Sequence, residues 1–238
     1  MASDQAIRHQ RKTWNRRVAT WDNHNSQGMQ TIANALLESA DVGPGVRAVD
    51  LGCGTGRLAL AMAERGADVL AVDVSQAMIE ELEAQATKLG LGTVRGLAHA
   101  IEHLSLPPES CDLIVSNYAL HHLRDADKAR LVRQAVGWLR PGGSFIVADM
   151  MFGRGTTSDD RRIIVDKVRA MASKGIPGYW RILKNAFRFL ARAQERPLSL
   201  EAWQRLFSDA GFVDVEGRRV VAEASIVRGG KAGAPPPS

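Results

Sequence analysis

An acidic residue, a glycine-rich turn and a second acidic residue form the most chemically pointed pattern in this chain. Asp50 is followed by Leu51-Gly52-Cys53-Gly54-Thr55-Gly56, and Asp73 closes the apolar run Val69-Leu70-Ala71-Val72. Glycines at alternate positions let another molecule lie almost against the backbone, because side chains there would fill that space or forbid the turn's dihedrals. A carboxylate ending the next strand stands where nucleotide-binding βαβ units hold a ribose. The pattern implies a bound nucleoside.

Details of the turn decide among nucleosides. Dinucleotide sites use G-x-G-x-x-G to seat a pyrophosphate on a helix N-terminus, whereas here the third glycine comes one position early and Arg57 follows it. Asp50 would also set a negative charge beside the ligand, which repels a diphosphate and suits an ammonium or sulfonium. S-adenosylmethionine carries both cations and no phosphate, so it is the expected ligand ahead of a nicotinamide or flavin cofactor.

Proton chemistry points to His121-His122, just beyond the apolar run Leu113-Ile114-Val115. An imidazole near its unperturbed pKa of ~6.5 can take a proton from a phenol, an acid or an activated carbon. In one reading His122 faces the acceptor while His121 caps or packs. In the other, both only shape the loop and an already ionised acceptor needs no base. His9, His24, His99 and His103 lack ligand-like spacing, so no metal is expected. Near the start, Trp14, Val18, Trp21 and Asp22 read as a helical cover. A Trp21 face would attract a sulfonium by ~0.5 to 2 kcal/mol, or else both tryptophans are ordinary packing residues.

Four segments in order resemble the class I S-adenosylmethionine-dependent methyltransferases, in particular the small-molecule group that includes the quinone C-methyltransferases. They are the glycine turn, Ala71 to Met78, Ala100 to Leu104 leading into Cys111 to Leu123, and Trp138-Leu139-Arg140-Pro141-Gly142-Gly143. The resemblance implies Asp50 near the methionine amino group and Gly52, Cys53, Gly54 and Gly56 along the methionine and ribose. It implies Asp73 on the ribose hydroxyls, Val74 and Met78 against the adenine, Ile101 at the adenine edge and Asn117 at the sulfonium end. One departure stands out: Ala100 occupies the position where the family usually has an Asp for the adenine amine. Glu102 or a water takes that hydrogen bond, or packing and backbone hold the ring. The loss of one neutral hydrogen bond costs about 0.5 to 1.5 kcal/mol.

The acceptor is narrowed by missing motifs. Enzymes acting on exocyclic amines of nucleobases commonly carry Asn/Asp-Pro-Pro-aromatic after the fourth strand, where this chain has Ser116-Asn117-Tyr118-Ala119. Neither Cys53 nor Cys111 is placed for attack on a pyrimidine carbon. In-line displacement at a methyl group asks mainly for alignment, so the expectation is O- or C-methylation of a small, largely apolar molecule. The alternatives are an RNA methyltransferase, or a protein that uses the bound nucleoside for regulation or a non-methyl reaction.

Positioning these groups requires alternating strands and helices. Strands are expected at Ala48–Leu51, Val69–Asp73, Thr93–Leu97, Leu113–Asn117, Ser144–Asp149, Val213–Arg218 and Glu223–Val227, with a helix over Arg57–Glu64 and another over Glu201–Ala210. Asp125 and Ser199 are expected N-caps, and Gly211 suits a left-handed C-cap. The last two strands are joined by too few residues for a crossover and must form a hairpin. The fold class is α/β: a Rossmann-like, seven-stranded, mostly parallel sheet with helices on both faces, an antiparallel C-terminal hairpin and a helical lid. The expected division is a helical cover over 1–40, a methyltransferase core over 41–230 with the lid at 150–197, and a disordered tail over 231–238.

With 238 residues, 45% of them hydrophobic, the chain can bury a sizeable core. Its short apolar runs and the polar start Met1-Ala2-Ser3-Asp4-Gln5 lead to the expectation of a cytoplasmic protein, and two cysteines fit a reducing compartment. The net charge of +5 gathers near Arg8 to Arg17 and in the lid. Within 179–192, Arg181, Lys184, Arg188 and Arg192 adjoin an apolar stripe of Trp180, Leu183, Phe187 and Leu190. That basic helix covers the pocket or touches a membrane surface. Nucleic acid is not the expected partner, because no stacking motif accompanies the charge.

Overall fold

A computed structural model describes residues 4–18, 27–152, 196–222 and 224–233. Six α-helices stand among them: α1 (Asp4–Asn15), α2 (Gln27–Ser39), α3 (Arg57–Glu64), α4 (Gln76–Leu89), α5 (Asp125–Trp138) and α6 (Leu200–Ala210). The strands are β1 (Arg47–Leu51), β2 (Asp68–Asp73), β3 (Val94–Ala98), β4 (Cys111–Asn117), β5 (Leu139–Met150), β6 (Val213–Val221) and β7 (Ala224–Gly230). Their order in the single sheet is β3-β2-β1-β4-β5-β7-β6. Strands β1 to β5 pair in parallel, and β7 runs antiparallel to both β5 and β6. This is the expected Rossmann-like arrangement, hairpin included.

Two apolar layers hold the sheet. Residues of one parity, such as Ala48, Val69, Ala71, Leu113, Val115 and Ile146, meet Ile32 and Leu36 of α2, Ala59 and Met62 of α3, and Leu82 of α4. Those of the other parity, such as Val49, Leu51, Ile114, Phe145 and Val147, meet Leu131 of α5 and Trp203 and Phe207 of α6. This period-two alternation follows from the pleat, and because both faces are covered the strands read as nearly continuous hydrophobic runs. Phe207 stacks on Phe145 at 5.2 Å between ring centroids and lies 4.9 Å from Phe212.

Local chemistry sets the ends of these elements. The helix Arg57–Glu64 matches the expected span. Ser199 caps α6 by accepting from the Ala202 N–H, and Gly211 closes it at φ 96°. Asp125 is not a cap: Arg124 occupies that position in an extended conformation, with no side-chain capping bond, and Asp125 is the first helical residue. There its carboxylate favours the helix dipole and accepts from Lys128 Nζ at 3.2 Å. Strand β5 begins at Leu139, five residues earlier than expected. Its pairing with β4 shifts register between Cys111 and Leu113, which absorbs Arg140-Pro141-Gly142-Gly143 into an irregular start.

Of the stretch 1–40, α1 packs on α4, whereas α2 lies on the sheet against β5, β6 and β7. Trp21, Asp22, residues 153–195 of the expected lid, its basic helix 179–192 and residues 234–238 lie outside the described residues. Among the described residues, no helix is long and apolar enough to cross a membrane.

Candidate functional site

The strand order reverses beside β1, whose neighbours are β2 on one side and β4 on the other. Crevices at such switch points, beyond the carboxyl ends of the strands, are where open α/β sheets bind ligands. A cleft partly open to solvent lies there. The turn after β1 is its floor. Gly52 N–H and Cys53 N–H both donate to Val72 O, at 2.7 and 3.1 Å, which ties the turn to β2. Gly52 has φ +78°, and a Cβ on it would meet Ala119 Cβ at 2.3 Å, so only glycine lets the turn and the β4 loop approach this closely.

Both acidic residues face this cleft. Asp73 accepts from Gly54 N–H at 3.0 Å and from Ser75 N–H at 2.9 Å, which fixes its carboxylate in place. Burial still pushes its carboxyl up, against those backbone hydrogen bonds. Asp50 is 2% exposed, and its Oδ2 has no hydrogen-bond partner among the described residues. Burial first, then the charge of Asp73, push it from 3.8 up to about 7, with the Ala59 N–H at the start of α3 opposing the shift. Burial pushes the Cys53 thiol up as well, with Asp50 and Asp73 adding to it, which disfavours a thiolate there.

The opposite wall comes from the end of β4. Tyr118 takes a left-handed conformation, φ 51°, and donates its N–H to Ala148 O at 2.9 Å. A short 3-10 turn, Leu120–His122, follows. It sends the two histidines different ways. His122 lines the cleft with its ring 5.4 Å from that of Trp14, edge-on at 63°, and Arg17 lies 5.0 Å over the Trp14 ring. His121 is buried, with Nδ1 2.6 Å from Asp149 Oδ1 and its backbone N–H donating to Asp149 Oδ2 at 2.8 Å. Asp149, at the end of β5, also accepts from Met150 N–H at 2.7 Å. The buried ammonium of Lys128 donates to Arg196 O, and Arg196 N–H donates to His121 O at 2.7 Å.

Helix α1 closes one side with few contacts. Ile7 is its buried residue, packed with Ala100 and Val74. Polar bonds add to this: Arg11 Nε donates to Val74 O at 3.3 Å, and Ser75 Oγ donates to Asn15 Oδ1 at 2.6 Å. Gln10 and Trp14 thereby reach the cleft.

Most residues singled out in the sequence converge on this cleft. Asp50, Gly52, Cys53, Gly54, Asp73 and Val74 line it, as do Met78, Ile101, Glu102, Asn117 and His122. Gly56 stands behind the lining as the left-handed residue before α3, where a Cβ would strike Leu82 at 2.6 Å. His121 likewise stands behind it. Sequence reasoning passed over Gln10, Met29, Arg57, Leu58, Tyr118 and Ala119 as lining residues. Arg57 and Leu58 were findable, since they directly follow the glycine turn. Gln10 and Met29 arrive only through tertiary packing and left no local signal. Among the described residues, no group of three or more His, Cys, Asp or Glu could hold a metal ion.

S-adenosylmethionine fits this donor set. The unpartnered Asp50 Oδ2 suits an ammonium, the braced Asp73 carboxylate suits vicinal hydroxyls, and Val74, Met78 and Ile101 offer apolar surface to a purine. Asn117 Oδ1 is a second buried acceptor without a hydrogen bond among the described residues.

Known proteins agree. Residues 48–143 match the family model described as a methyltransferase domain. The chain is 31% identical over 187 residues to an uncharacterized methyltransferase of Geobacillus thermodenitrificans, covering 78% of this chain and 75% of that one. It is 32% identical over 114 residues to the uncharacterized methyltransferase YcgJ of Bacillus subtilis, covering 48% of this chain and only 44% of that relative. The fold is shared with the Burkholderia thailandensis 1,6-didemethyltoxoflavin-N1-methyltransferase, solved with 1,6-didemethyltoxoflavin and S-adenosylhomocysteine. That likeness has TM-score 0.67 at 18% identity, over 96% of this chain and 88% of that one. The chain belongs to the class I S-adenosylmethionine-dependent methyltransferases.

Proposed function

We propose that the protein transfers a methyl group from S-adenosylmethionine to an oxygen or carbon of a small, largely apolar acceptor. The observation that carries this reading is the wall facing the nucleoside side of the cleft, where an imidazole, His122, meets an indole, Trp14. An aromatic wall holds a flat apolar molecule, and an imidazole beside it can accept the proton that an O–H or C–H centre must lose on methylation. When bound, the cofactor supplies an electrophilic methyl carbon on a sulfonium. Asp50 would hold its ammonium, Asp73 its ribose hydroxyls, and Asn117 the region between nucleoside and acceptor.

Ala100 carries no hydrogen-bonding side chain, so the adenine amine would be met by Glu102, which also lines the cleft, or by backbone. The protein's contribution to rate is chiefly alignment, with His122 removing one proton. The Burkholderia N1-methyltransferase that shares the fold was solved with 1,6-didemethyltoxoflavin bound, which supports a small-molecule acceptor. The motif order resembling quinone C-methyltransferases makes quinols the first acceptors to try.

The test incubates the protein with cell extract and donor carrying a deuterated methyl group, followed by mass spectrometry. A labelled small molecule supports the proposal and names the acceptor. Label found in RNA, or tight donor binding with no labelled product in any extract, would overturn it.

A further inference from the structure

We propose that Lys128, which lies outside the cleft, is a positioning residue: its buried ammonium holds the histidine turn, and with it His122, against Trp14 through the peptide group of Arg196. The inference rests on the reading of His122 as the group that faces the acceptor. The turn Leu120–His122 is a single 3-10 turn without a side-chain cap. Within it, His122 N–H donates to Ala119 O at 3.2 Å and Leu123 N–H to Leu120 O at 3.0 Å. So short a helix does not hold its geometry by itself, and its surroundings must do so.

The backbone of His121 is gripped from two sides. Asp149 Oδ2 accepts its N–H at 2.8 Å. Its carbonyl accepts the Arg196 N–H at 2.7 Å, and the Arg196 carbonyl in turn accepts from Lys128 Nζ. The Lys128 side chain is 0% exposed, whereas its other partner, Asp125 Oδ1 at 3.2 Å, belongs to a side chain 42% exposed. Burial pushes the ammonium down, opposed by the charges of Asp125 and Asp149. As a stability device a buried ammonium is weak, because desolvation offsets most of its attraction to the acids. What no apolar chain of that length can do is donate to Arg196 O. Without that donor the Arg196 peptide loses its tie to α5, and the bond to His121 O loses its fixed point. The His122 ring stands 4.1 Å from that of His121 and 5.4 Å from that of Trp14, so a displaced turn moves it along the acceptor wall. A misplacement of about 1 Å can cost about 10²-fold in rate.

Magnetic resonance of the full chain with isotope-labelled histidine and tryptophan tests this, the His122 signal being identified by its loss in His122→Gln. The native protein is expected to show cross-relaxation between the His122 ring and the Trp14 indole. Cross-relaxation falls with the sixth power of distance, so Lys128→Met should lose more than about half of that intensity, while S-adenosylmethionine affinity by calorimetry stays within about twofold. Lys128→Gln, which keeps a donor without the charge, should recover most of the intensity. Arg196→Pro removes the N–H on His121 O with Lys128 in place. It should lose the same intensity, and it carries the test should melting curves show Lys128→Met unfolded. Native intensity in Lys128→Met or in Arg196→Pro, loss in Lys128→Gln as full as in Lys128→Met, or an equal fall in cofactor affinity would overturn the role of Lys128 alone. No cross-relaxation in the native protein would remove the wall of His122 and Trp14, and overturn the proposed function and this inference together.

Discussion

If Asp50 holds the ligand's ammonium as proposed, it sets the pH behaviour of the site, because burial and the Asp73 charge push its carboxyl up to about 7. An ammonium pairs with the ionised form, so below that pH ligand binding must expel the Asp50 proton. Affinity for S-adenosylmethionine should rise up to tenfold per pH unit towards 7, flatten, and fall again as the ligand's own α-amino group loses its proton near ~8. Calorimetry in buffers of different ionisation enthalpy reads both the affinity and the proton released at pH 6. An affinity constant between pH 5 and 7 would remove Asp50 from the ammonium. His122 answers to a separate measurement. If it is the base, His122→Ala lowers kcat by about 10² to 10⁴ and leaves cofactor affinity within about twofold. A kcat near that of the native enzyme from pH 6 to 9 would mean that orientation alone drives transfer.

Turns constrain the elements more tightly than the strands do. Gly52 and Gly90 both have positive φ, but a Cβ on Gly52 collides with Ala119 whereas one on Gly90 meets nothing within 4 Å. Gly90→Ala should therefore cost about 1 kcal/mol, the left-handed penalty alone. Gly52→Ala should cost about 2 to 4 kcal/mol, because the β4 loop must move as well. Urea unfolding of the two variants separates the effects, and equal losses would refute the close approach of turn and loop. The same distinction explains what could be read in advance. Apolar runs announced β1, β2 and β4 because both sheet faces are covered. The start of β5 was hidden because Arg140-Pro141-Gly142-Gly143 has turn chemistry, yet Gly142 N–H donates to Lys231 O and Lys231 N–H to Gly143 O. Asp125 looked like a cap because acids favour both the cap and the first turn, and only the backbone of Arg124 decides between them. The cleft floor was legible since one continuous stretch builds it. Its α1 wall was not, because a charge-rich helix with a single buried residue reveals no docking partner.

At the scale of the whole molecule, the two apolar layers hold open a cleft whose charges are unfavourable without a ligand. The Asp50 carboxyl titrates near 3.8 when unfolded and at about 7 in the fold, so the folded state binds more protons between those values. The contribution of Asp50 to stability without ligand then falls as pH rises from about 4 to about 7, by up to about 4 kcal/mol, and stays reduced above that. Asp50→Asn removes the charge while keeping the shape. At pH 4 variant and native protein should melt together. At pH 8 the ligand-free variant should melt higher by up to about 8 to 16 °C, given roughly 2 to 4 °C per kcal/mol at this size. Saturating S-adenosylmethionine, at about 100 times its Kd, should stabilise the native protein by about 2.7 kcal/mol and the variant far less. Scanning calorimetry at both pH values, with and without ligand, tests the whole scheme. Native and variant curves that shift in parallel on adding ligand would mean that the buried carboxylate is a packing residue, and that the cation is held elsewhere in the cleft.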